Sequence, residues 1–264
     1  MKHDKRHWLK SWGRLLLFGI TLVLCLGLSW GVNAERTLPP AQVHPLPPTL
    51  QEWTDEANTG DYFAQVKETP VGYLVWSDFP VKVYLDRTAG ADDPWVKAVR
   101  NAIAAWNAYL PLVEVEHPEN ADIIWVRSRP PMRATVNRET RELEISGARN
   151  AETSYQLYLT KTNPPQLSHR FKILLSPHQS YHHTLGTARH ELGHALGIWG
   201  HSDNPQDALY SSQVSDPPPI SPRDVNTLQK VYQQPTKLGW DMPSKHIPSL
   251  KGVSFSTSLF CNKP

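Results

Sequence analysis

Apolar and polar positions change their period several times along the chain, and each change marks a boundary. Leu15 to Trp30 is an apolar run behind a basic start. Leu38 to Leu50 then holds Pro39, Pro40, Pro45, Pro47 and Pro48, which cannot donate a ladder of hydrogen bonds, so residues 35–59 read as an extended proline-rich linker and the folded domain begins near Gly60. From Phe79 to Asp86, Val81, Val83 and Leu85 alternate with Lys82, Tyr84 and Asp86, the period of a half-buried strand. Asp93-Pro94 is a cap followed by a first-turn proline. Val96, Val99, Ile103, Trp106 and Leu110 then recur at helical spacing until Pro111, which predicts a long covering helix whose tryptophans serve packing.

Val113 and Val115 alternate with Glu114 and Glu116, and Ile123 to Val126 is a continuous apolar run, so two more strands are expected, the second more deeply buried. Between Arg127 and Arg149 six arginines mix with three glutamates in a polar stretch that suits a hairpin with a solvated, salt-bridged surface. Ser154 to Thr160 and Arg170 to Ser176 are the last strands, separated by the turn signal Asn163-Pro164-Pro165. A helix capped by Thr184 follows. Ser221-Pro222-Arg223-Asp224 opens a final helix carrying Val225, Leu228, Val231 and Tyr232, and Pro235 stops it. The domain is expected to span residues 60–240, and the tail, 241–264, shows no clear period.

Composition adds little about fold and more about location. The chain is 39% apolar, enough for a real core, and its 24 prolines sit mostly in loop-forming runs. The net charge of +2 arises in the first fourteen residues, and the remainder, with 22 basic and 24 acidic side chains, lacks the concentrated basic face that a nucleic-acid partner requires. Lys2, Lys5, Arg6, Lys10 and Arg14, the apolar run and Val32-Asn33-Ala34 together fit a signal peptide cut after Ala34. An uncleaved N-terminal anchor is the alternative, although the run is short for a membrane span. Either reading exports the remainder to a secreted, periplasmic or extracellular location. Cys25 and Cys261 are the two cysteines, so the mature chain has no internal disulfide and must draw stability from burial and bound metal. The residues before Cys25 do not fit a lipoprotein processing site.

Six of the twelve histidines lie between His178 and His201. His190 and His194 are four apart, on one face of a helix and within reach of one tetrahedral cation. Glu191 sits beside the first, where its carboxylate can take a proton from an activated water without being a ligand. Gly197 can end the helix in a left-handed conformation and return the chain so that His201 becomes a third ligand. Three protein ligands leave the fourth position of zinc open, which separates a hydrolytic site from a closed structural one. The competing reading is a chance H-E-x-x-H on an ordinary helix. His178, His182 and His183 have no mutual ligand spacing and are read as rim residues.

His190-Glu191-Leu192-Gly193-His194-Ala195-Leu196-Gly197, followed by His201-Ser202, resembles the zinc helix and third-ligand pair of the matrixins, a branch of the metzincin zinc endopeptidases. A looser similarity runs from Val81 to Tyr232. The resemblance implies an α+β fold with a twisted mixed sheet above a cleft, and a monomer that uses Zn2+ to hydrolyse protein or peptide substrates. It also implies that substrate adds as an extra strand along a sheet edge, for which Tyr155 to Thr160 is the candidate. Two departures stand out. Three residues, Ile198, Trp199 and Gly200, separate Gly197 from His201 where matrixins have two, leaving Asp203 and Asp207 as substitute ligands. Leu209 occupies the place of the methionine that packs beneath the zinc, a nearly volume-conserving change. The next residue, Tyr210, is a candidate donor to a developing oxyanion. Two rivals remain: an exported zinc-binding protein with weak or no catalysis, and a site whose third ligand is Asp216 or Asp224. No cysteine lies between Cys25 and Cys261 to hold the metal in a latent state.

Overall fold

Val81–Leu85 (β1) buries Val81, Val83 and Leu85 completely and turns Lys82 outward, so its alternation pins one face to the core. A computed structural model supplies the structure, which describes residues 38–132, 134–136, 141, 143–145, 149–243 and 256–260. The signal or anchor expected over 1–34, with Cys25, lies outside the described residues, as does Cys261. Both neighbours of β1 are parallel to it: Leu112–Val115 (β2) on one side and Ile123–Arg127 (β3) on the other.

Parallel neighbours need a crossover, and Pro94–Asn107 (α1) supplies the one between β1 and β2. Asp93 caps it by accepting hydrogen bonds from the amides of Trp95 and Val96. Trp95, Val96, Val99, Ala102 and Trp106 are buried. Burial of each such large side chain stabilises the fold by about 1.5–3 kcal/mol, which identifies these tryptophans as packing residues.

Leu167–Leu175 (β7) extends the sheet in parallel beside β3, and Ala151–Leu159 (β6) runs antiparallel to β7. Ser256–Phe260 (β8) pairs antiparallel with the outer side of β6. The order is therefore β2-β1-β3-β7-β6-β8, a mixed sheet in an α+β fold. The polar stretch after β3 forms the expected hairpin, with Ala134–Val136 (β4) antiparallel to Leu143–Ile145 (β5).

Tyr181–Ala195 (α2) buries Ala188, Leu192 and Ala195. The indole of Trp106 donates to the carbonyl of Arg189 at 2.9 Å, which fixes α1 against α2. The cap of α2 is Ser180, not Thr184. Ser180 accepts from the His183 amide, while Thr184 lies one turn inside and returns its hydroxyl to the Ser180 carbonyl. A serine and a threonine four apart offer the same cap chemistry, and the chain enters the helix at the earlier one. Pro222–Tyr232 (α3) begins with a capping box between Ser221 and Asp224.

Residues 38–59 depart from the expected linker. Leu38 onward belongs to the same compact unit as the sheet, and Leu50 is fully buried. Gln42 exchanges two backbone hydrogen bonds with Thr236, each 2.9 Å. Gln229 donates to the Leu50 carbonyl, and the Trp53 indole to Asn226. Prolines remove donors from this segment but leave its carbonyls, and α3 supplies partners for them. Among the described residues, no helix is long and apolar enough to cross a membrane.

Candidate metal centre

α2 ends where the histidine spacing needs it to end. The Gly197 amide bonds the His194 carbonyl and the Ile198 amide bonds the Gly193 carbonyl, both at 3.1 Å, the paired bonds of a Schellman termination. Gly197 has φ +129°, and a Cβ there would meet the Leu74 carbonyl at 2.7 Å, so only glycine fits. The chain then turns back through Ile198, Trp199 and Gly200. Trp199 is buried edge-on against Tyr155, and its carbonyl accepts from the Lys67 amide. Gly200 presses on the Gln65 carbonyl, where a Cβ would stand 2.2 Å away. The three-residue connection is thus filled by specific contacts on both sides.

This return brings His201 to the helix. Ligand-capable atoms of His190, His194 and His201 all lie within 4.8 Å of one another, the one such group of three among the described residues. Nδ1 of His190 lies 2.9 Å from the Ala208 carbonyl, and Nδ1 of His194 lies 2.7 Å from the Ile198 carbonyl. A carbonyl only accepts, so each Nδ1 carries the hydrogen and each Nε2 presents a lone pair. Those two Nε2 atoms face each other at 3.0 Å. Two lone pairs so placed repel unless a positive charge lies between them. Two ligands at zinc-like bond lengths about a tetrahedral centre stand about 3.3 Å apart, so the donor set fits a divalent cation. Burial also pushes the His190 imidazole down to about 3 and His201 to about 4, and holds His194 well below its ordinary value. The rings are therefore neutral, the form that binds metal.

Glu191, the residue after His190, is buried and meets β6 through Thr153. Its Oε2 accepts from the Thr153 hydroxyl at 2.5 Å, while its Oε1 has no hydrogen-bond partner among the described residues. Burial raises its carboxyl to about 7; the Thr153 bond and Arg149 oppose this, and Glu152 adds to it.

The turn beneath the site is held by two buried aspartates. Asp224 accepts from the amides of Ala208 and Ser221 and from the Tyr62 hydroxyl, which places the Ala208 carbonyl under His190. Asp207 accepts from Ser202, Ser221 and Arg223, tying the residue after His201 to α3. Asp207, the substitute ligand of the sequence reading, and Asp224, the third ligand of the rival layout, are both anchors outside the imidazole group. Asp203 faces Arg223 and Asp216 pairs with His182, so neither joins the group either. His183 contacts Ser180, and the rim histidines stay apart from the cluster. Leu209 is fully buried and packs on Gly193, directly under the helix.

A cavity of about 80 Å³ opens beside His190, lined by Ala151, Thr187, Tyr210, Val214 and Pro217 among others. Tyr210 lines this cavity together with His190. Thr153 is the member that sequence reasoning missed, for it lies 38 positions from Glu191 and belongs to no motif. Its signal was weak: a threonine on the inward face of a strand in an otherwise apolar register. No protein-family model matches the chain, and no curated protein is significantly similar to it.

Proposed function

We propose that this chain is an exported zinc-dependent endopeptidase of the metzincin type, matrixin-like in its helix. The observation that carries the reading is the pair of facing imidazole nitrogens, joined by His201, with the buried carboxylate of the adjacent Glu191, one of whose oxygens has no partner among the described residues. Three imidazoles suit zinc among the divalent ions, and a closed structural site has no use for a base beside its ligands. A bound zinc ion supplies Lewis acidity, lowering the pKa of a water towards 7 and polarising a scissile carbonyl.

The residues of the chain supply the rest. Thr153 fixes one Glu191 oxygen, leaving Oε1 to take the proton of the attacking water and later return it to the leaving amine. A carboxyl near 7 suits both transfers at neutral pH. Tyr210, at the rim of the cavity beside His190, donates to the oxyanion as the carbonyl becomes tetrahedral. The cavity accepts one substrate side chain next to the cut bond. The basic start, apolar run and Ala34 support export.

The test is Glu191→Ala. It should keep one zinc per chain by elemental analysis and lose roughly 10²–10⁴ of kcat, about 3–5 kcal/mol, on a peptide library. Turnover unchanged in that variant would remove Glu191 from the mechanism, and no turnover by the zinc-loaded parent on the same library would leave an exported zinc-binding protein.

A further inference from the structure

The outer side of β6 is not an open edge. Ser256–Phe260 lies along it in antiparallel register, with Phe260 opposite Glu152, Leu259 opposite Thr153 and Ser256 opposite Gln156. Thr153 is the residue whose hydroxyl reaches Glu191, and Ala151, one step further, lines the cavity beside His190. The described pairing, residues 152–156, therefore covers the part of the edge that holds Thr153 and adjoins Ala151.

From this register we infer that Ser256–Phe260 occupies the strand-shaped site that an extended peptide must take, and so acts as a built-in competitor for it. The inference rests on the proposed peptidase reading for its biological meaning, but the occupancy itself is a binding statement. Main-chain hydrogen bonds along a sheet edge accept any extended backbone without steric conflict, so the tail and a foreign peptide are alternatives for the same donors and acceptors. The tail also removes a hazard, because an unpaired edge is a template for association with other chains.

Energetics favour a displaceable cover. β8 belongs to the same chain as the edge it covers, so its pairing is intramolecular and even a weak one fills the edge at rest. Five residues on one edge form a marginal contact by themselves, which lets a better-fitting peptide replace them.

The experiment keeps the full chain and changes two residues, Thr257→Pro with Ser258→Pro. In an antiparallel ladder alternate residues point their amides at the neighbour, so one of any two consecutive prolines deletes a bond to β6. Both proteins carry Glu191→Ala, so the probe is not consumed, and are loaded with zinc; equal zinc content shows that the site is intact in each. The probe is a fluorescein-labelled peptide of sequence Val-Ser-Phe-Ser-Thr-Ser-Leu-Phe, a copy of residues 253–260, read by anisotropy, with hydrogen exchange followed at the amides of residues 152–156. The expected result is faster exchange there and about tenfold or more tighter peptide binding in the proline variant, because the binding-competent fraction has risen. With Glu191 restored, KM for a peptide substrate should fall by the same factor at constant kcat. Unchanged exchange, or faster exchange with unchanged affinity, overturns the inference. Tighter binding with no hydrolysis by either Glu191-bearing protein supports the occupancy and removes the peptidase reading instead.

Discussion

Thr153→Val keeps the shape of a buried side chain and deletes the one hydroxyl bonded to Glu191. A buried carboxylate that loses its donor costs about 1–3 kcal/mol, so thermal or urea denaturation should register that loss. The bond favours the ionised form, so without it the Glu191 carboxyl moves further above its ordinary range. The acid limb of the kcat/KM profile should then shift to higher pH, and an unshifted limb would show that Thr153 does not set the base. His169 makes a second prediction at this scale. It is fully enclosed, stacks on Trp76 at 4.0 Å, and burial pushes its imidazole down to about 3. The unfolded chain takes up a proton below about 6.5 and the native chain does not. Stability is therefore unaffected above that pH, and between 6.5 and 3 this one group removes up to about 1.4 kcal/mol per pH unit. His169→Phe should flatten the acid limb of the stability curve by that slope relative to the parent, measured by urea unfolding at pH 7 and pH 5.

Among the helices, α2 shows how closely backbone and chemistry are joined. At Gly193 a Cβ would stand 2.6 Å from Leu209 Cδ2 and 3.0 Å from the Trp106 ring. Gly193→Ala should cost about 1–3 kcal/mol through overpacking and should weaken zinc retention, since His190 and His194 flank the displaced turn. Leu209→Met should cost under about 1.5 kcal/mol and keep zinc, as a volume-conserving change below the helix. Both effects are read by thermal denaturation and metal analysis. This element was the most legible part of the sequence, because a local period places His190, Glu191, His194 and Gly197 without knowledge of anything else. The three residues before His201 were legible only as an oddity. What makes them fit, Trp199 against Tyr155 and Gly200 against Gln65, depends on partners over forty and over one hundred positions away in the chain. Asp207 reads as a substitute ligand, and Asp224 as the ligand of a rival layout, for the same reason. An acid near a metal motif looks like a ligand until the amides it holds are known. The strands were legible from alternation, and the hairpin from its charge pattern, whereas β8 lies in a tail that shows no clear period in sequence.

At the scale of the whole molecule the described structure relies on burial and the proposed ion. If zinc binds the folded chain only, its removal costs about 2.7 kcal/mol when the ion had stood at 100 times its dissociation constant. A domain of this size loses about 2–4 °C per kcal/mol, so a chelator should lower Tm by roughly 5–10 °C. His194→Ala should show the lower Tm at the outset and no further fall with chelator, and a chelator response equal to that of the parent would contradict its role as a ligand.

The front of the body reads as a linker in sequence because its prolines hide what its carbonyls and Leu50 do. Its seating has a consequence for the order of assembly. His44 is held by the Leu238 carbonyl and by the Trp240 ring, and Gln42 by Thr236, so these contacts join positions nearly two hundred residues apart. Chains arrested on the ribosome before Thr236 should accordingly be cut by added protease within residues 38–59, where finished chains resist. Long-range closures of this kind form late. The leading stretch thus stays an unfastened thread until nearly all of the polypeptide has been made.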